Sequence, residues 1–273
     1  EKKADNNINT IIIIHSTIDP ENDRTKKLKY ISEDLALCNR LLVHSTSDLN
    51  RLKNLGLIDN VSLFPHGILE VDKYKRKNDF IKYTNQELNF STFGFCLPNK
   101  GFIELIQAIK ILHQENMICR LTLYTSLYDS SISHDLLKKL NLLINDLKLT
   151  RYVHINSSFL TDVQIYENLS NSDLVIFPYQ STNESASGAV RQGISSQAPV
   201  AVTPVSIFDD VLDVVYQLPG CSPSSIATGL LKWVKDFYGL PMNKKEISWR
   251  KQHSFKLLAR RLEGIISSLE IND

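Results

Sequence analysis

A chain of 273 residues is long enough for one large domain or two smaller ones around a real buried core. Its hydrophobic share of 42% and charged share of 22% are ordinary for a globular protein, and exclude a disordered tail, a collagen-like repeat and a disulfide scaffold. With 31 basic residues against 30 acidic ones, there is no basic excess to suggest a nucleic-acid partner.

Short β-branched runs alternate with amphipathic stretches, the pattern of parallel α/β layers. Ile11–Ile14 reads as a buried strand ending at His15 and Ser16. A polar stretch with Pro20 leads to a helical segment near 26–37. Residues 41–43 form a second strand, and Asp48 reads as the N-cap of a short helix ending at Gly56. Residues 61–64 form a third strand, closed by Pro65, His66 and Gly67. From Gly67 to about Glu87 the pattern fades into VDKYKRKNDF and its surroundings, either a linker between two layered units or a solvated loop inside one.

After Glu87 the alternation is regular. Strands are expected at 90–95, 121–124, 152–155, 174–177, 200–203 and 214–218. Between and after them come helices: one with the stripe Phe102, Leu105, Ile106, Ile109 and Leu112, then others carrying 136–143, 162–169, 186–196 and 226–237. A last helix carries Leu258, Leu262, Ile265, Ile266 and Leu269, with Lys and Arg on its other face. Six such steps predict a doubly wound sheet, whose ligands bind in the crevice beyond the carboxyl ends of its strands.

Cys38, Cys96, Cys119 and Cys221 lie far apart without a CxxC pair, and read as reduced thiols of a cytoplasmic protein. The seven histidines include no HExxH motif and no His/Cys cluster, so no metal site is expected. No apolar run reaches the ~18 residues of a membrane span. The chain begins with glutamate instead of methionine and without a signal peptide, as a piece of a longer protein would.

Three loops fall at the carboxyl ends of expected strands. In FGFCLPNKGF, residues 93–102, Gly94 and Gly101 permit close backbone approach, Pro98 stiffens the turn, and Lys100 places a cation at the mouth of a helix. This suits a phosphate, although taken alone these residues favour a plain strand-to-helix turn with a solvated lysine. In PYQSTNESASGAVRQ, residues 178–192, Glu184 precedes a helix expected to open near Ala186. The amides of Ser185, Ala186, Ser187 and Gly188 would form an anion cradle there. A carboxylate beside a phosphate needs its own reason; Glu184 either accepts hydrogen bonds from sugar hydroxyls or simply caps the helix. TPVSIFDD, residues 203–210, is a small polar turn that borders the same edge. There is no GxSxG elbow, P-loop or GxGxxG fingerprint, which argues against hydrolase, P-loop kinase and ordinary dehydrogenase readings.

In order, these segments resemble glycosyltransferase family 4, the group 1 glycosyltransferases of the GT-B fold. LLVHSTSDLNRLKNLGLIDNVSLFPHG is similar to the end of that family's N-terminal domain, and FGFCLPNKG to its glycine-and-lysine phosphate loop. SDLVIFPYQSTNESASGAVRQGISSQAPVAVTPV resembles its donor-sugar segment, and WRKQHSFKLLARRLEGI its last helix. The resemblance implies an α/β protein of GT-B type: two Rossmann-like domains facing across a cleft, the second holding the nucleotide-sugar and the first the acceptor. On that pattern, residues 1–67 are a remnant of the acceptor domain, 68–87 a linker, 88–243 the nucleotide-sugar-binding domain, and 244–273 a helix crossing back to the first domain. It further implies sugar transfer with retention of configuration, without a metal or other cofactor. Lys100 and Gly94 would face the diphosphate, the amides of Ser185, Ala186, Ser187 and Gly188 its oxygens, and Glu184 the donor sugar's hydroxyls. His15 is similar to a family histidine that faces the reacting sugar, here followed by Ser16 where the family usually has Asp.

The chain departs from the family pattern in four places. Phe95 stands where an arginine is usual, so one of two diphosphate cations is missing unless Arg191 replaces it. Gln192 stands at the second position of the family's paired glutamates, about 12 Å along the helix from Glu184; it can still hydrogen-bond ribose hydroxyls, without charge. Ser187 occupies the place of a glycine, which is shifted to Gly188. Only 67 residues precede the linker, fewer than the family's first domain needs, so its first strands are either cut off or supplied by another chain or domain. The implied enzyme is a hexosyltransferase-type glycosyltransferase of bacterial surface polysaccharide synthesis. Its partners would be a nucleotide-sugar donor and a glycan or lipid-linked acceptor, with no nucleic acid. Its expected location is cytoplasmic, with a peripheral place on the inner face of the membrane as a variant. The alternative is a degenerate, non-catalytic module of the same fold that binds or scaffolds a partner.

Overall fold

The computed structural model describes residues 8–20, 23, 25–70, 87–128, 131–182, 184–240 and 244–270. Most of the expected linker, 71–86, lies outside the described residues. The chain divides into two compact units: Glu1–Gly67 with Asn183–Ser187 and Lys251–Asp273, and Ile68–Thr182 with Gly188–Arg250.

The first unit holds three parallel strands, β1 (Ile11–Ile14), β2 (Arg40–Val43) and β3 (Val61–Leu63), in the order β1-β2-β3. Parallel neighbours need crossovers. The first passes through a 3₁₀ turn at Leu28–Tyr30 and the short helix α1 (Ser32–Ala36), the second through α2 (Thr46–Asn54). Leu35, Leu41, Val43, Leu52, Leu57 and Val61 fill the core between them. The helix expected near 26–37 is cut to its second half, because local carboxylates take the earlier amides: Asp19 accepts from Leu28 N–H at 2.9 Å, and Asp23 from Thr25 N–H at 2.9 Å. Asp48 is not the N-cap of α2. That place belongs to Ser45, whose hydroxyl accepts from the Asp48 amide at 3.1 Å and donates back to the Asp48 carboxylate.

The second unit is a six-stranded parallel sheet of β4 (Leu88–Phe93), β5 (Cys119–Tyr124), β6 (Val153–Asn156), β7 (Leu174–Phe177), β8 (Val200–Val202) and β9 (Tyr216–Gln217). The strand order is β6-β5-β4-β7-β8-β9, a doubly wound sheet counted 3-2-1-4-5-6 along this unit. Both faces are covered, so its strands read as near-continuous apolar runs. In β7, Leu174 and Ile176 point into the core shared with α3 (Phe102–Gln114), α4 (Ser131–Asp146) and α7 (Pro223–Phe237). Val175 and Phe177 point the other way, toward α5 (Asp162–Ser170), α6 (Gly188–Ser195) and Trp249 of α8 (Lys244–Gln252). The expected strand at 214–218 shrinks to β9 because Ser206–Val214 winds as 3₁₀ helix before it.

The single last helix expected from the sequence is two, α8 and α9 (Phe255–Glu270), broken at His253 and Ser254. Ser254 is buried, and its hydroxyl accepts from Leu257 N–H at 3.3 Å, restarting the helix. No described helix is long and apolar enough to cross a membrane.

All four thiols are free. Burial pushes the Cys119 thiol up to about 12 and raises that of Cys96 as well. Titration of the native protein with a thiol-reactive disulfide at pH 8 should modify half-buried Cys38 and Cys221, with Cys96 and Cys119 reacting only after denaturation; fast native labelling of all four would contradict this packing.

Candidate functional site

At the centre of the second unit, β4 and β7 lie side by side, with Phe90 opposite Leu174 and Ser91 opposite Val175. This is the topological switch point of the sheet, where the loops beyond two neighbouring strands part and leave a crevice. The loop after β4 holds Gly94 to Gly101, and the loop after β7 starts at Pro178. The two are bonded together: Gln180 N–H donates to Asn99 O at 2.8 Å, and Gln180 Nε2 donates to Pro178 O at 2.9 Å and to Cys221 O at 3.0 Å.

Gly101 is required by this contact. It caps α3 at φ +74°, and a Cβ there would lie 1.7 Å from the Pro178 carbonyl oxygen. Beside it, Lys100 is half-buried with Nζ 4.1 Å from the centroid of the Tyr179 ring, a cation–π contact. Tyr179 is in turn held by Phe208, 5.0 Å away between ring centroids, and by Thr203, whose hydroxyl donates to Tyr179 O at 2.6 Å. Gly94 donates its amide to Tyr124 O at 3.1 Å, and a Cβ there would lie 3.9 Å from Cβ of Ala189 in the first turn of α6. The structure thus brings Gly94, Lys100 and the start of α6 to one crevice.

Other expected site residues are placed differently. α6 opens at Gly188, two residues later than the sequence suggests. Among the described residues, the amides of Ala186 and Gly188 have no hydrogen-bond partner. Arg191 is corrected as a diphosphate cation: it is 2% exposed and ion-paired with Asp210, so its charge is already committed inside the unit. Burial pushes its guanidinium down, and the Asp210 carboxylate opposes that. Phe95, in the place of the usual arginine, is exposed and packs edge-on against Tyr128, 5.7 Å between centroids. Gln192 is half-buried and donates to Asp162 at 3.3 Å, tying α6 to the start of α5.

In the first unit, Ser185 is corrected as a ligand-facing residue. Its amide donates to His15 O at 3.4 Å and its hydroxyl to Asp48 at 2.9 Å. Asp48 is fully buried and also accepts from Thr17, from Ser45 and, at 3.2 Å, from Arg51. Ser187 is buried as well, while Glu184 and His15 are exposed.

Sequence reasoning missed a cluster of three histidines at the carboxyl ends of the three strands of this unit. His15 and His44 have ring centroids 4.8 Å apart, and His44 and His66 5.2 Å. The signal was available: each of the first two follows its strand directly, and the register Ile14 opposite Val43 makes His15 and His44 neighbours. Among the described residues no group of His, Cys, Asp or Glu is arranged to hold a metal ion.

No family model matches the sequence, and no curated protein does. Solved structures match the fold. Sucrose-phosphate synthase from Thermosynechococcus elongatus superposes with a TM-score of 0.76 at 14% identity, over 96% of this chain and 68% of that one. HepE of Anabaena, in complex with UDP and glucose, gives 0.75 at 12% identity, over 95% of this chain and 72% of that one. TarM of S. aureus, a mutant in complex with Fondaparinux, alpha-GlcNAc-glycerol and UDP, gives 0.71 at 16% identity, over 94% of this chain and 50% of that one. The fold is therefore α/β of the GT-B type, built of parallel Rossmann-like units.

Three substitutions test this packing. Gly101→Ala forces Cβ onto the Pro178 carbonyl in an αL conformation and should cost about 3 kcal/mol or more, whereas Gly264→Ala, with open space around it in α9, should stabilise by about 0.5–1 kcal/mol. Arg191→Met leaves Asp210 without its cation and should cost about 3–5 kcal/mol. Denaturant melts of the variants beside the parent chain read all three; a neutral Arg191→Met would make that guanidinium a candidate ligand group again.

Proposed function

We propose that this chain is a glycosyltransferase, of family 4 in the GT-B class, or the donor-binding part of one. The observation that carries the reading is the Lys100 ammonium held over Tyr179 at the switch point of a 3-2-1-4-5-6 sheet. A glycine at 94 and a helix N-terminus at Gly188 lie in the same crevice. One fixed cation and peptide N–H groups at a helix start suit a pyrophosphate better than a neutral ligand. The fold is shared with HepE, which was solved with UDP, glucose and UDP-glucose, and with TarM, solved with UDP.

The chemistry asked of such a site is positional and electrostatic. Lys100 and the amide of Gly188 stabilise charge as it builds on the departing nucleoside diphosphate. Glu184 and His15 are assigned to the sugar hydroxyls, by the resemblance of their segments. Transfer proceeds with retention, the acceptor hydroxyl attacking the face that the diphosphate leaves and losing its proton to a phosphate oxygen. The substrates are a nucleotide-hexose and a glycan or lipid-linked acceptor of bacterial surface polysaccharide synthesis, handled at the cytoplasmic side of the membrane without a metal.

Isothermal titration should detect binding of at least one of UDP, GDP, ADP and dTDP, and Lys100→Ala should weaken it about fivefold or more. Absence of binding by all four would sink the reading. The commitment of Arg191 to Asp210 favours one specific competitor, a non-catalytic module with weakened diphosphate affinity. Product formation from a donor panel, lost in Glu184→Ala, eliminates that competitor; nucleotide binding without turnover selects it.

A further inference from the structure

Two of the three histidines of the first unit, His15 and His44, share one proton position between their rings. His44 is buried, and its Nδ1 lies 3.0 Å from the carbonyl oxygen of Phe64. A carbonyl oxygen only accepts, so Nδ1 of His44 carries a proton in every ionisation state. The other nitrogen of His44, Nε2, lies 3.1 Å from Nδ1 of His15. When both rings are neutral, His44 has committed its one proton to Phe64, so the proton between the rings belongs to His15 and sits on Nδ1. The reverse arrangement would point two lone pairs at each other across 3.1 Å. His66 stands 6.4 Å from His15 between centroids and turns its own Nδ1 to Gly67 O at 3.1 Å.

We infer that His44 is a positioning residue that holds His15 in the Nδ1–H tautomer and so makes Nε2 of His15 a hydrogen-bond acceptor. Isolated imidazole side chains in water favour the opposite tautomer, so the preference has to be imposed. His15 is exposed, and an acceptor there selects a ligand group that donates: a sugar hydroxyl fits, a carbonyl or carboxylate does not. That the hydroxyl belongs to a donor sugar rests on the proposed function; the tautomer does not.

The test is a long-range ¹H–¹⁵N correlation spectrum of the ¹⁵N-labelled full chain, followed upward in pH until the imidazole signals stop shifting. The His15 signals are identified by their loss in His15→Asn. The expected result is a protonated, pyrrole-like Nδ1 and an unprotonated, pyridine-like Nε2 on His15. In His44→Leu the ring should revert to mainly Nε2–H. In His44→Gln, whose side-chain oxygen can accept the same proton, the Nδ1–H form should persist. Should His44→Leu not fold, the parent spectrum and His44→Gln decide. An Nε2–H His15 in the parent chain, or a tautomer indifferent to His44→Leu, overturns the inference. With transfer activity in hand, His44→Leu should lower kcat about tenfold or more and His44→Gln recover most of it; an unchanged kcat overturns the positioning role. Failure of every nucleoside diphosphate to bind, beside the expected tautomer, removes the transferase reading and leaves this one standing.

Discussion

The second unit depends on the pairing of β4 with β7, two strands far apart in sequence that must lie side by side before any crevice exists. The pairing is pinned at both ends. Where the strands enter, Asn89 N–H donates to the Asp173 carboxylate at 2.7 Å, Asp173 N–H donates to Asn89 O at 2.8 Å, and the hydroxyls of Ser91 and Ser172 meet at 2.7 Å. Where they leave, Gly101 lies against Pro178 and Gln180 bonds to Asn99. Between the pins both strands are buried in apolar layers, where unpaired backbone groups would be costly, so the register has little freedom to slip.

That rigidity gives Lys100 its meaning. A lysine on a surface turn loses a large rotamer entropy when it binds an anion. Here the ammonium already lies over Tyr179, whose ring packs against Phe208 and whose carbonyl accepts from Thr203. Part of the ordering cost is met by folding, before any ligand arrives. The same logic explains why Arg191 does not stand in for a second cation. It occupies a helix face that the 3.6-residue period turns into the core with Val190 and Ile194, and a guanidinium there is tolerable only because Asp210 meets it.

Periodicity made the second unit legible: strands buried on both faces, helices with an apolar stripe and glycines at the turns all announce themselves locally. The loop 94–101 was readable as a glycine-flanked strand-to-helix turn with a lysine at its mouth, which by itself leaves a phosphate and plain solvent both open. Three features were hidden because they depend on partners distant in sequence. Asp48 looked like a cap, but its neighbour Ser45 caps while Asp48 turns inward to Thr17, Arg51 and Ser185. Arg191 looked available, and only Asp210 shows otherwise. The histidine cluster needs the parallel register of β1 and β2 before His15 and His44 become neighbours.

The segment ESASG shows how one buried carboxylate can decide what a loop offers. Along it the residues alternate: Glu184 exposed, Ser185 buried, Ala186 half-buried, Ser187 buried, Gly188 exposed. The inward positions carry small hydroxyl side chains, and Ser185 gives its hydroxyl to Asp48 and its amide to His15. A serine at 187 is then no accident of drift from a glycine pattern, because that position faces inward and a polar, compact side chain fits it. The glycine is displaced to 188, where the backbone turns outward and α6 begins. Asp48, fully buried and surrounded by donors, is thus the fixed point that sets which of these backbone groups turn inward. Residues 184 and 188 are left exposed and 186 half-buried while 185 and 187 are buried, and that division follows from the chain's own packing before any ligand is considered.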